Sequence, residues 1–173
     1  MSKRQLKKYL QELDKEQLEE QIVDLYDRFK PVKIFYDFVF NPREEELMRK
    51  AKLKISKEYF PETRRKAKTR RSIAQKEIKH FQQLGVEPHL TADLMLFNIE
   101  IAQTFAEEKG NLKEAFCKSL FKSFDEAVKF ILKEGVLAEF KLRILKIAAE
   151  AEHQNWPNAY SFEKIEMQFQ DAP

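Results

Sequence analysis

Apolar and polar positions from His89 to Glu108 (HLTADLMLFNIEIAQTFAEE) follow a helical period with unusually little polar surface. At 100° per residue, Leu90, Leu94, Phe97, Ile101 and Phe105 form one stripe. Ala92, Met95, Leu96, Ile99, Ala102 and Ala106 form a second stripe beside it. Only His89, Asp93, Glu100, Thr104 and Glu107 make a polar strip. A helix apolar around most of its circumference has to be enclosed by other helices, so 89–108 is expected to be the central helix of an all-α domain. Thr91 and Asn98 lie off the polar strip and are expected to be buried, with internal hydrogen bonds.

Flanking segments carry narrower stripes and clear punctuation. Ser2 can cap a first helix bearing Leu6, Tyr9, Leu10 and Leu13. Asp14, with Gln17 three residues on, has the capping-box pattern of a second helix bearing Leu18, Ile22, Leu25 and Phe29. Pro31 suits the first turn of a third, KIFYDFVF, which also has strand character but sits in a helical context. Asn41-Pro42-Arg43-Glu44 reads as the start of a fourth helix, with Leu47, Met48, Ala51, Ile55 and Tyr59 inside and a stop before Pro61. The polar, basic run 61–69 is the expected mobile loop. A fifth helix from about Arg70 to Leu84 follows, with Gly85 as C-cap.

Beyond the central helix, Gly110 is a stop and Asn111, with Glu114, a start. Ser123-Phe124-Asp125-Glu126 has the pattern of another N-terminal box, so 111–134 reads as two helices. Val136 to Gln154 is one long helix, broken at Trp156-Pro157. In 161–170, Phe162, Ile165 and Phe169 fit a helix while Ile165, Met167 and Phe169 alternate as in a strand; helix is favoured. The sum is an irregular bundle or short repeat-like stack of about nine or ten helices in a single domain, 1–173. Its possible sub-units are 1–60 and 70–154, with a C-terminal segment 155–173.

Composition narrows the function classes. Three Gly and six Pro in 173 residues suit long helices rather than a turn-rich β fold. One cysteine, Cys117, cannot close an internal disulfide, and with the charged start MSKRQLKKYL it points to a reducing cytoplasm. Nothing approaches the roughly 18 uninterrupted apolar residues of a membrane span. Charge is the exception to this blandness. Residues 49–79 hold 13 Lys/Arg against three acids, a net +10 in a chain whose total is +3.

Most of the chain, through SKRQLKKYLQELDKEQLEEQIVDLYDRF, FYDFVFNP, ISKEYFP and ADLMLFNIEIAQTF, resembles a family of small stand-alone bacterial proteins grouped as a domain of unknown function. The resemblance implies a compact helical protein and brings no catalytic motif with it. The first two helices also resemble the helix–turn–helix of SAP-type DNA-binding modules, although the glycine those modules carry between helices is missing here.

The basic stretch supplies the candidate site: Arg49, Lys50, Lys54 and Lys57 on the fourth helix, Arg71, Lys76 and Lys79 on the fifth, and Arg64, Arg65, Lys66 and Lys68 between them. On antiparallel helices, cations pointing away from the apolar stripes would merge into one surface able to displace counterions from a polyanion such as nucleic acid. No aromatic residue interrupts 61–72, so the expected contacts are to backbone phosphates. The plainer reading is a solvated face balancing an acidic remainder, on a protein that works as a protein-interaction adaptor.

An enzymatic reading starts from two Glu-x-x-His pairs, Glu77/His80 and Glu150/His153, the spacing used twice in di-iron bundles, with Glu100 and Glu58 as further carboxylates. Helical projection puts Glu77 on an apolar face with His80 at its edge. It puts Glu150 and His153 beside Glu139, Arg143 and Lys146 on a solvent face. One inward and one outward half cannot enclose a metal pair. No metal, cofactor or catalytic residue is therefore assigned, and Cys117 reads as a buried, inert thiol.

Overall fold

A computed structural model of the chain describes residues 2–62, 66–110 and 113–170. Among them lie nine helices and no strand: α1 (Lys3–Gln11), α2 (Lys15–Arg28), α3 (Lys30–Phe40), α4 (Glu44–Tyr59), α5 (Arg71–Leu84), α6 (Pro88–Lys109), α7 (Glu114–Lys133), α8 (Leu137–His153) and α9 (Ala159–Gln170). None is long and apolar enough to cross a membrane. Contacts divide the chain into two units, Met1–Arg43 and Glu44–Pro173. The division falls ahead of α4, not in the basic segment, because α4 packs on both α5 and α6.

In the N-terminal unit both expected capping boxes form. Ser2 and Gln5 exchange bonds at the start of α1, and Asp14 and Gln17 do so at α2. The α2–α3 pair is joined by Tyr26, whose hydroxyl donates to Asp37 at 2.9 Å. No described residue of these three helices is buried. Their stripes are helical, as the periodicity predicts, yet Ile22, Leu25 and Phe29 remain exposed.

The second unit is organised by α6, which packs on α4, α5, α7 and α8. Its second apolar stripe is buried throughout, and Leu94 of the first with it, while Leu90, Phe97, Ile101 and Phe105 are half-buried. Thr91 and Asn98 are buried as expected, but the Asn98 Oδ1 has no hydrogen-bond partner among the described residues. Gln103, also buried, donates to the Ile147 carbonyl at 2.8 Å and so ties α6 to α8. Helix α9 completes the core through Phe162, whose ring meets Phe121, Phe124 and Trp156 at centroid separations of 5.3, 5.0 and 5.6 Å. Burying one such ring is worth roughly 2–3 kcal/mol.

Punctuation decides where these helices stop. Gly85 sits at φ +71°, a left-handed C-cap that a side chain would strain, and the Val86 amide reaches back to the Phe81 carbonyl. Two expected breaks are corrected. Residues 114–133 are one helix, because Ser123 does not cap a new one: its hydroxyl donates to the Ser119 carbonyl and accepts from Arg71 of α5. Asn41 closes α3, and α4 begins at Glu44, where three successive glutamates complement the helix dipole. The start expected at Asn111 falls outside the described residues. For 161–170, α9 resolves the ambiguity in favour of helix.

Candidate polyanion-binding surface

Three elements in sequence build the basic region. Ala51, Ile55 and Tyr59 bury one side of α4, and Ala74, Phe81 and Leu84 one side of α5. The connecting segment 66–70 is not loose. Amides of Lys68 and Thr69 both donate to the Glu58 carbonyl, at 3.0 and 3.1 Å, which satisfies an orphan acceptor at the end of α4. Arg70 adds a forked pair to the Glu58 carboxylate, at 2.9 and 2.7 Å. That guanidinium holds the Glu58 carboxyl below its usual range. The expected mobile loop is thus pinned at its C-terminal end.

The candidate cations divide into two groups. Lys50 pairs with Glu46 at 2.6 Å, Lys57 with Glu62 at 3.2 Å, and Lys54 with both oxygens of the buried Glu77 at 3.0 Å. Arg71 points inward, its Nε donating to Ser123 at 2.8 Å and its Nη2 to Glu126, so it bolts α5 to α7. The Arg71 placement corrects the expectation that every candidate cation faces away from the core, whereas Lys54 stays exposed while reaching a buried carboxylate. Arg49, Lys66, Lys76 and Lys79 are exposed and, among the described residues, have no carboxylate partner; Lys68 is exposed too and makes no close ion pair, but its charge helps to hold the Glu58 carboxyl down. Arg64 and Arg65 lie outside the described residues.

One concavity of about 250 Å³ collects part of the second group. Lys57, Lys66, Lys68 and Arg70 line it against Glu58 and Glu62, leaving a net +2. Such a recess can receive a phosphate without first breaking an ion pair, since among the described residues Lys66 has no carboxylate partner and Lys68 makes no close ion pair.

The proposed metal halves do not come together. Glu77 is committed to Lys54. Glu150 accepts from Gln154 at 2.8 Å, and His153 is largely exposed. Both line a separate cavity of about 500 Å³ between α6 and α8. Among the described residues, no three His, Cys, Asp or Glu side chains are grouped to hold a metal ion.

A polar network that the sequence reading missed lies on α6. Arg143, which projection assigned to a solvent face, is about one-third exposed and pairs with Asp93 and Glu100, while Lys52 of α4 also reaches Asp93 at 2.7 Å. The available signal was the polar strip itself: Asp93 and Glu100, two turns apart, are spaced for a single long cation from a neighbouring helix.

No curated protein and no solved structure matches the chain. A family match does cover nearly all of it, residues 1–170, and it agrees with the small all-helical architecture. The chain belongs to the family of unknown function DUF6155.

Proposed function

We propose that the protein is a non-catalytic binding protein whose basic surface, residues 49–79, engages a polyanion, nucleic acid in particular. The observation that supports this reading is the set of exposed cations that make no close ion pair among the described residues, Arg49, Lys66, Lys68, Lys76 and Lys79, with Lys66 and Lys68 beside a positively charged recess. Ion pairs already satisfy the neighbouring lysines, so binding draws mainly on the free ones. Contacts fall on phosphates, and the absence of aromatics from 61–72 makes base stacking there unavailable.

Titration of duplex DNA and of heparin across a salt series tests it. Affinity should fall linearly in log–log form, with about 0.9 units of slope for each phosphate neutralised on duplex DNA. Changing Lys66, Lys68, Lys76 and Lys79 to Gln should weaken binding and flatten the slope while leaving thermal unfolding unchanged. No binding at low salt would reject the reading.

A second reading, a protein-interaction adaptor, is supported by the N-terminal unit. Phe35, Val39 and Phe40 are all exposed on α3, Phe40 by 82%. Such a run of large apolar side chains is a costly surface for a protein that binds only through charge. Binding of a protein partner that is insensitive to salt and lost on changing Phe40 to Ser would favour it.

A further inference from the structure

A second recess, of about 290 Å³, opens where the end of α4, the start of α5 and the first turns of α7 meet. Its polar lining consists of Tyr59, Thr69, Arg71, Lys113 and Ser119, with Phe116 and Leu120 among the apolar residues. Every one of those polar side chains can donate a hydrogen bond, and none is a carboxylate. That is unusual in a chain with 29 acidic residues.

Tyr59 is the most telling member. The residue is 4% exposed and packs its ring on Phe105, and its hydroxyl, which is not one of the fully buried unpartnered atoms, lines the recess with no hydrogen-bond partner among the described residues. A hydroxyl at the wall of a recess is free to donate into it. Burial pushes this phenol up to about 12, so at neutral pH it keeps its proton and can donate it.

The neighbours are arranged to the same end. Helix α7 opens at Glu114, and among the described residues no side-chain oxygen caps its N-terminus. Lys118 draws the Glu114 carboxylate into an ion pair at 2.6 Å. Lys113 has no carboxylate partner among the described residues. Arg71 is fixed by Ser123 and Glu126, so it shapes the wall while its charge is balanced.

We propose that this recess binds a small phosphomonoester, its phosphate received by Tyr59, Lys113, Thr69 and Ser119 at the N-terminus of α7, and its organic part laid against Phe116 and Leu120. Phosphate supplies three acceptor oxygens to a set of side chains each of which can donate and none of which is a carboxylate. The volume lies near the lower end for small-molecule sites and suits a single ring. This site does not depend on the polyanion reading. It uses none of the exposed cations on which that reading rests, and its ligand is a monoester in a pocket, not a chain of diesters along a surface.

Titration of the full-length protein with inorganic phosphate and with phenyl phosphate, followed by amide chemical shifts, tests it. Phenyl phosphate should bind saturably and more tightly than inorganic phosphate, with the largest shifts at 69 and 113–119. Tyr59→Phe removes one unpartnered hydroxyl and keeps the ring, so the fold should persist while affinity falls about tenfold. Lys113→Gln should act similarly. The Lys66→Gln/Lys68→Gln variant should bind phenyl phosphate as the parent does. The proposal is overturned if neither probe saturates, if Tyr59→Phe and Lys113→Gln leave binding unchanged, or if the Lys66/Lys68 variant abolishes it.

Discussion

Arg143 of α8 grips Glu100 of α6 with both arms of its guanidinium, Nε to Oε1 and Nη2 to Oε2, each at 2.8 Å. Its remaining nitrogen, Nη1, donates to Asp93 two turns earlier on α6, at 2.6 Å. One residue thus fixes both the rotation and the register of two helices that enclose the core. Changing Arg143 to Met keeps most of the packing stem but strands two partly buried carboxylates. A loss of about 1–2 kcal/mol is expected, already discounted for the third of each side chain that water reaches. Urea unfolding checks it, with Lys129→Met as control. That lysine's pair with Asp125 is exposed on α7, and its loss should cost under about 0.5 kcal/mol.

Asp93 should give this network a pH signature. Burial alone would raise its carboxyl, but bonds from Lys52 and Arg143 outweigh burial and hold it below the ordinary value. A carboxyl lowered on folding adds stability above its unfolded value, near about pH 4, and that stability is lost as pH falls through the lower folded value. Asp93→Asn should therefore be clearly less stable than the parent at about pH 7. The gap should shrink progressively below about pH 4. A gap that stays constant down to about pH 2 would mean the carboxylate charge is not what the network uses.

The sequence was legible where a residue's role is local. Capping boxes at Ser2 and Asp14, the stop before Pro61 and the left-handed Gly85 depend on neighbours within a turn or two, and all are present. The wide apolar surface of α6 also announces its central place. Residues whose partners lie far along the chain were misjudged. Ser123 has the local pattern of a cap, but Arg71, 52 residues away, gives its hydroxyl a different partner. A helical projection puts Arg143 on a polar face without showing that α6 brings acids to meet it. The same limit applies to the candidate site. Clustering of positive charge is visible in the sequence, whereas the carboxylates that neutralise Lys50, Lys54, Lys57 and Arg71 are identified only once the helices are packed. Nor does periodicity reveal whether a stripe is covered: α2 and α3 are amphipathic like α5, yet none of their described residues is fully buried.

Cys117 offers a check on the core around α7. Its side chain is fully buried, and burial raises the thiol above its usual value, which keeps it protonated and unreactive. Its backbone carbonyl accepts from Asn158, at 3.0 Å, just ahead of α9. Iodoacetamide should modify the native protein only as fast as the chain opens, and the rate should climb steeply with urea as α9 and α7 separate. Alkylation at the rate of a free thiol in the absence of denaturant would show that this part of the core is open.

Lys54 and Lys76 should separate cations that hold the fold from cations that are available to a ligand. Lys54 reaches across from α4 to both oxygens of Glu77 on α5, and Glu77 is one of the few charged side chains that are buried. Lys76, one residue earlier on α5, is exposed and has no carboxylate partner among the described residues. Lys54→Met leaves the buried carboxylate without its counter-charge. Because the lysine itself is more than half exposed, the expected loss is about 1–2 kcal/mol, less than for a fully buried pair. Polyanion affinity should hardly change, since that ammonium is already spoken for. Lys76→Met should do the reverse, leaving unfolding within about 0.5 kcal/mol of the parent and lowering the salt slope on duplex DNA by about 0.9 units. If Lys54→Met weakens DNA binding as much as Lys76→Met, pairing with a carboxylate does not remove a lysine from the binding surface, and the division of this face into structural and available charges fails.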